Sequence, residues 1–215
     1  MNYFFLMAFI VVSSVHLYAS VKSNCKLRAY TKGFILLSLL GWYCTYVQHP
    51  SPVIIAAILT SWLGDVLLIP KGVKWFSAGG VSFMVSHLCF IGAYYEHVNL
   101  SSIHTFAIVV PGVIYVFASI LVFRGLKPYL SKSLFYPMFF YLLINGSMNC
   151  FALYRMLSLP CLATAITFAG ATLFFISDST LFYVRFSKKS FFKTHFVVML
   201  TYIFAEYLIG LGMLA

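Results

Sequence analysis

Acidic residues are nearly absent from this chain. Only four of its 215 residues are Asp or Glu (Asp65, Glu96, Asp178 and Glu206), against fourteen Lys and Arg, and all charged side chains together make up 8%. Soluble domains carry charge at roughly a quarter of their positions, so this chain, 62% hydrophobic and with a mean hydropathy of +0.97, is excluded from that class. It reads as an integral membrane protein. Ser/Gly-rich linkers, low-complexity tracts and polar inserts are missing too, which excludes an independent domain outside the bilayer. Residues 1–215 are therefore expected to form a single transmembrane domain. The five cysteines (Cys25, Cys44, Cys89, Cys150, Cys161) include no C-x-x-C pair; neither a disulfide framework nor a metal knuckle is indicated, and they read as small buried hydrophobes. The histidines make no H-x-x-x-H or H-E-x-x-H pair, so no metal and no cofactor is expected.

Apolar runs of about 20 residues, enough to cross roughly 30 Å of hydrocarbon, recur eight times. They span Asn2 to Ser20, Ala29 to Val47, Pro52 to Ile69, Phe76 to Tyr95, Ser102 to Phe123, Leu134 to Leu157, Cys161 to Tyr183 and Thr194 to Leu214. The expected fold class is an all-α bundle of eight transmembrane helices. The first run ends in the small residues of "LYAS" but lacks a basic start, so it reads as helix 1 rather than a cleaved signal.

Thirteen of the fourteen basic residues lie beside odd-numbered loops: Lys22, Lys26, Arg28 and Lys32; Lys71 and Lys74; Arg124, Lys127 and Lys132; Arg185, Lys188, Lys189 and Lys193. Arg155 alone approaches an even one. The positive-inside rule then puts the odd loops in the cytoplasm and both termini on the other side, with a bacterial inner membrane favoured. The +10 net charge faces anionic lipid on that surface, not nucleic acid. "LGDVLLIPKGVKWF" and "ISDSTLFYVRFSKKSFF" echo each other four helices apart, a weak parallel pseudo-repeat of helices 1–4 in helices 5–8.

A carboxylate without a partner costs several kcal/mol in hydrocarbon, so the acids inside the runs are the informative residues. Asp65 and Asp178 each lie about 7 Å before the cytoplasmic end of their helices at 1.5 Å per residue, in one layer. Lys32 opens helix 2, and His87, Asn145, Tyr202 and Glu206 lie two to four turns in from the same face. Asn145 and Asn149, one turn apart, match interhelical glue; His195 matches an interface belt. Two carboxyls sharing a layer can hold one proton unequally, an arrangement for general acid and general base that suits hydrolysis through an oxocarbenium-like cation. The same set equally serves a proton-coupled carrier of a small amphiphile.

At "GDVLL" (Gly64 to Leu68), "SHLCF" (Ser86 to Phe90), "GATLFFISDSTL" (Gly170 to Leu181) and "TYIFAEYLI" (Thr201 to Ile209), together with Thr31 and Lys32 on helix 2, the chain resembles the YhhN-type lysoplasmalogenase family over nearly its whole length. The resemblance implies hydrolysis of the vinyl ether of lysoplasmalogens to a fatty aldehyde and glycerophosphoethanolamine or glycerophosphocholine. It implies catalytic roles for Asp65 and Asp178, with either one as the acid. It also implies supporting roles around a lysophospholipid substrate for Lys32, His87 and Tyr202; Lys32 with His87 is expected to hold the phosphate or the glycerol. Asn145 and Glu206 join the expected substrate-binding set from their position in the polar layer. Three residues depart from the family pattern: Gly33 follows Lys32 in place of proline, Phe90 stands where a tyrosine is common, and Glu206 replaces a glutamine. A carrier, by contrast, calls for helices broken near mid-membrane, for which Pro111 with Gly112 is the conspicuous breaker pair.

Overall fold

The computed structural model describes residues 3–187 and 195–214; Lys188, Lys189 and Lys193 of the seventh loop lie outside them. Among the described residues there are eight α-helices and no strand: α1 (Phe4–Val21), α2 (Cys25–Tyr46), α3 (Pro52–Leu67), α4 (Val73–Tyr95), α5 (Thr105–Leu126), α6 (Lys132–Ser158), α7 (Leu162–Phe186) and α8 (His195–Gly212). Local chemistry sets their ends. Asn24 accepts a hydrogen bond from Leu27 N at 3.1 Å and starts α2, one turn earlier than its apolar run begins, so Arg28 and Lys32 sit inside the helix. Pro52, whose missing N–H is harmless in a first turn, opens α3. Between α3 and α4 the chain turns at Gly72 with φ of +130°, a conformation that a side chain resists.

Among the described residues, five stretches are long and apolar enough to cross a membrane: α1, α4, α5 with the turn after it, α7 and α8. At 16 residues α3 is shorter. The two other helices are long but more polar, with Lys26, Arg28 and Lys32 on α2 and Asn145, Asn149 and Arg155 on α6. Pro111 does not break α5, which runs unbroken from Thr105 to Leu126.

Helices α1, α2, α3, α4, α6, α7 and α8 pack in that order into a closed ring, α8 returning to α1, while α5 lies outside against α6 and α7. Only Pro111, Ser119 and Leu126 of α5 are buried. Its outward residues, including Phe106, Val113 and Phe117, are exposed. An apolar face of that size needs lipid or another protein to cover it, consistent with a multi-pass membrane protein. Small residues let α7 and α8 approach closely: a Cβ added to Gly170 would meet Ile209 N at 2.8 Å and Ala205 O at 2.9 Å. The cysteines correct one expectation. Only Cys150 is buried, Cys89 is partly so, and Cys25, Cys44 and Cys161 are exposed, because each of those three lies near a helix end or on an outward face rather than in the ring.

Candidate active site

A cavity of about 230 Å³ opens at the end of the ring formed by the start of α2, the end of α3, the end of α7 and the start of α8. Asp65 from α3 and Asp178 from α7 both line it, with Lys32, Tyr202 and Ser177. The residues are 2% and 4% exposed, so each carboxylate depends on its partners.

Asp65 is held by charge. Lys32 Nζ lies 3.1 Å from its Oδ1, and the Tyr202 hydroxyl donates to its Oδ2 at 2.9 Å. Trp62 on α3 donates its indole N–H to Gly33 O at 2.8 Å, fixing the register of α2 on α3 beside the ion pair. Gly33 itself faces open space, so its departure from the family pattern leaves this contact intact.

Asp178 is held mainly by neutral donors. Tyr141 OH donates to its Oδ2 at 2.5 Å, Asn145 Nδ2 donates to the same oxygen at 2.8 Å, and His87 Nε2 approaches it at 3.4 Å. His87 also meets the Tyr141 hydroxyl at 3.2 Å. Behind Asn145, Asn149 Nδ2 donates to Asn145 O and Oδ1 at 3.0 and 3.2 Å, and Tyr115 of α5 donates to Asn149 Oδ1 at 3.1 Å. A polar chain thus runs from α5 through α6 to Asp178. Tyr141 was not among the residues singled out in the sequence; its signal is the spacing Tyr141, Asn145, Asn149, which puts all three on one face of α6.

His87, expected with Lys32 at the phosphate or the glycerol, stands beside Asp178. Its side chain is fully buried, with Phe174 edge-on at 4.8 Å between ring centroids, and it faces Asp178 and Tyr141 rather than the cavity mouth. Lys32 is engaged with Asp65. Glu206, 1% exposed, lies one turn beyond Tyr202 on α8, and among the described residues neither of its oxygens has a hydrogen-bond partner. Phe90, the other departure, is buried and stacked on Tyr94 at 6.0 Å. His16 Nδ1 bonds Thr31 Oγ1 at 2.8 Å. Near the far end of the ring, Arg155 is unexpectedly buried, 4% exposed, with Nη1 donating to Thr167 Oγ1 and Met213 Sδ, each at 3.1 Å.

An acid bound to lysine and a second acid surrounded by hydroxyl, amide and imidazole, both at one small cavity, are a set that can donate a proton and steady the cation that results. No curated protein and no solved structure matches the chain. The model of the YhhN family, which is the lysoplasmalogenase family, matches residues 27–213, and the chain belongs to that family.

Proposed function

We propose that this protein is a lysoplasmalogenase that crosses the membrane with all eight helices as one domain, its cavity opening on the cytoplasmic face, both termini opposite, and its home the inner membrane of a bacterium. Asp178 protonates the outer vinyl carbon of a bound alkenyl lysophospholipid. Asp65, paired with Lys32, stabilises the oxocarbenium ion and takes a proton from the water that adds to it. The hemiacetal so formed collapses, releasing fatty aldehyde and the glycerophospho alcohol. Tyr202 orients Asp65, while Tyr141, Asn145 and His87 orient Asp178 through Oδ2, leaving Oδ1 for the proton.

The observation that carries this reading is that Asp65 and Asp178, 113 positions apart in the chain, line one cavity in a member of this family. Unbroken helices favour a hydrolase over a carrier. Purified protein given an alkenyl lysophospholipid and its saturated ether analogue is expected to release aldehyde from the first alone. Asp65→Asn and Asp178→Asn are each expected to lower that release at least about 100-fold; undiminished release in both variants overturns the roles.

A further inference from the structure

The cavity has a mouth as well as a floor, and the mouth is cationic. Arg28 on α2, Lys71 in the α3–α4 turn and Arg185 near the end of α7 all line the same cavity as the two aspartates, and they come from three sides of the opening. Among the described residues of the chain no acidic side chain is paired with them. Of its four acids, Asp65 is paired with Lys32, Asp178 is enclosed by His87, Tyr141 and Asn145, Glu206 is buried in the ring, and Glu96 follows α4, a helix that begins just after Lys71 and ends at Tyr95. Glu96 is thus about 34 Å along that helix from the mouth at 1.5 Å per residue. Arg28 Nε is shielded from solvent and has no hydrogen-bond partner among the described residues. Three converging cations without a counter-charge form a site for an anion with several acceptor oxygens.

Distance says which anion. Arg28 lies one turn outward from Lys32 on α2, about 6 Å along the axis, and Arg185 lies seven residues outward from Asp178 on α7, about 10 Å. In a glycerol ether lysophospholipid, three carbons and an ester oxygen separate the ether oxygen from phosphorus, a reach of about one helical turn. A lipid with its ether at Asp65 and Asp178 therefore brings its phosphate to this rim. Accordingly, we propose that Arg28, Lys71 and Arg185 form the phosphate subsite, selecting single-chain ethers that carry a phosphate diester over phosphate-free alkenylglycerols. The assignment rests on the hydrolase reading for the placement of the ether, and it moves phosphate recognition from Lys32 and His87 to the rim.

Binding is measured separately from hydrolysis. Detergent-solubilised wild type is titrated with a saturated-ether lysophosphocholine, with the matching alkylglycerol and with inorganic phosphate, and so are Arg28→Gln and Arg185→Gln. Wild type is expected to prefer the phosphate-bearing ether at least about tenfold, and each variant to lose most of that preference. Arg28→Lys and Arg185→Lys, which keep the charge, are expected to recover part of it. A preference that survives in both Gln variants, or is absent from wild type, overturns the subsite. Rim-dependent binding of inorganic phosphate, with the lipid indifferent to the rim, overturns its assignment to a lipid phosphate. Should the preference behave as expected while no alkenyl substrate yields aldehyde, the subsite stands and the hydrolase reading falls.

Discussion

Lys32 and Asp65 are an ion pair whose side chains are 16% and 3% exposed, and a pair with a buried carboxyl group responds asymmetrically to substitution. Lys32→Met leaves a carboxylate in the ring without its cation, with an expected loss of about 3–5 kcal/mol. Combining it with Asp65→Asn removes the stranded charge and is expected to restore part of that loss. Thermal unfolding in detergent micelles, run as a double-mutant cycle, reads both effects. Tyr141→Phe removes the shortest contact to Asp178 and keeps the ring. It is expected to lower kcat about 10- to 100-fold, equivalent to about 1.4–2.7 kcal/mol of transition-state stabilisation, with little change in KM. Lone acids in apolar runs announce themselves, which is why Asp65 and Asp178 were legible from the sequence alone. A tyrosine does not stand out in a chain holding fifteen of them, and Tyr141 became visible only through the two asparagines below it.

Among the elements, α7 and α8 make the most demanding contact, since α8 supplies Tyr202 to Asp65 and α7 supplies Asp178. Gly170 is the hinge of that fit. Gly170→Val pushes into the backbone of α8 at Ile209 and Ala205, with an expected cost of about 1–3 kcal/mol or more. It also displaces Tyr202, so activity should fall with stability. Gly33→Ala is the matched control: nothing lies within 4 Å of the added methyl group, and in a helix interior the change is expected to raise the unfolding temperature slightly rather than lower it. The apolar runs marked where the helices are, to within a few residues, because burial in lipid demands length and hydrophobicity. Starts were less legible, as at α2, where a single side-chain cap at Asn24 carries the helix outward past its apolar limit. The ring order, with α5 left outside, was not legible at all. Helices in lipid select neighbours by close packing and polar contacts rather than by hydrophobic pattern.

For the whole molecule, the orientation proposed above can be read with its own thiols. Cys25 lies at the mouth end of α2 and Cys161 at the connection from α6 to α7, and both are exposed. In single-cysteine variants, a membrane-impermeant maleimide added to intact spheroplasts is expected to label Cys161 and to reach Cys25 only after permeabilisation; the opposite pattern inverts the proposed topology.

Opposite the mouth, the inner face of α4 carries Phe83, Phe90 and Tyr94, all buried. Phe83 packs edge-on against Phe174 and Tyr202, closing the space beneath the acids with aromatic rings. Phe83 itself lines the cavity. On the proposed reading, water, substrate head and released alcohol share the doorway lined by Arg28, Lys71 and Arg185.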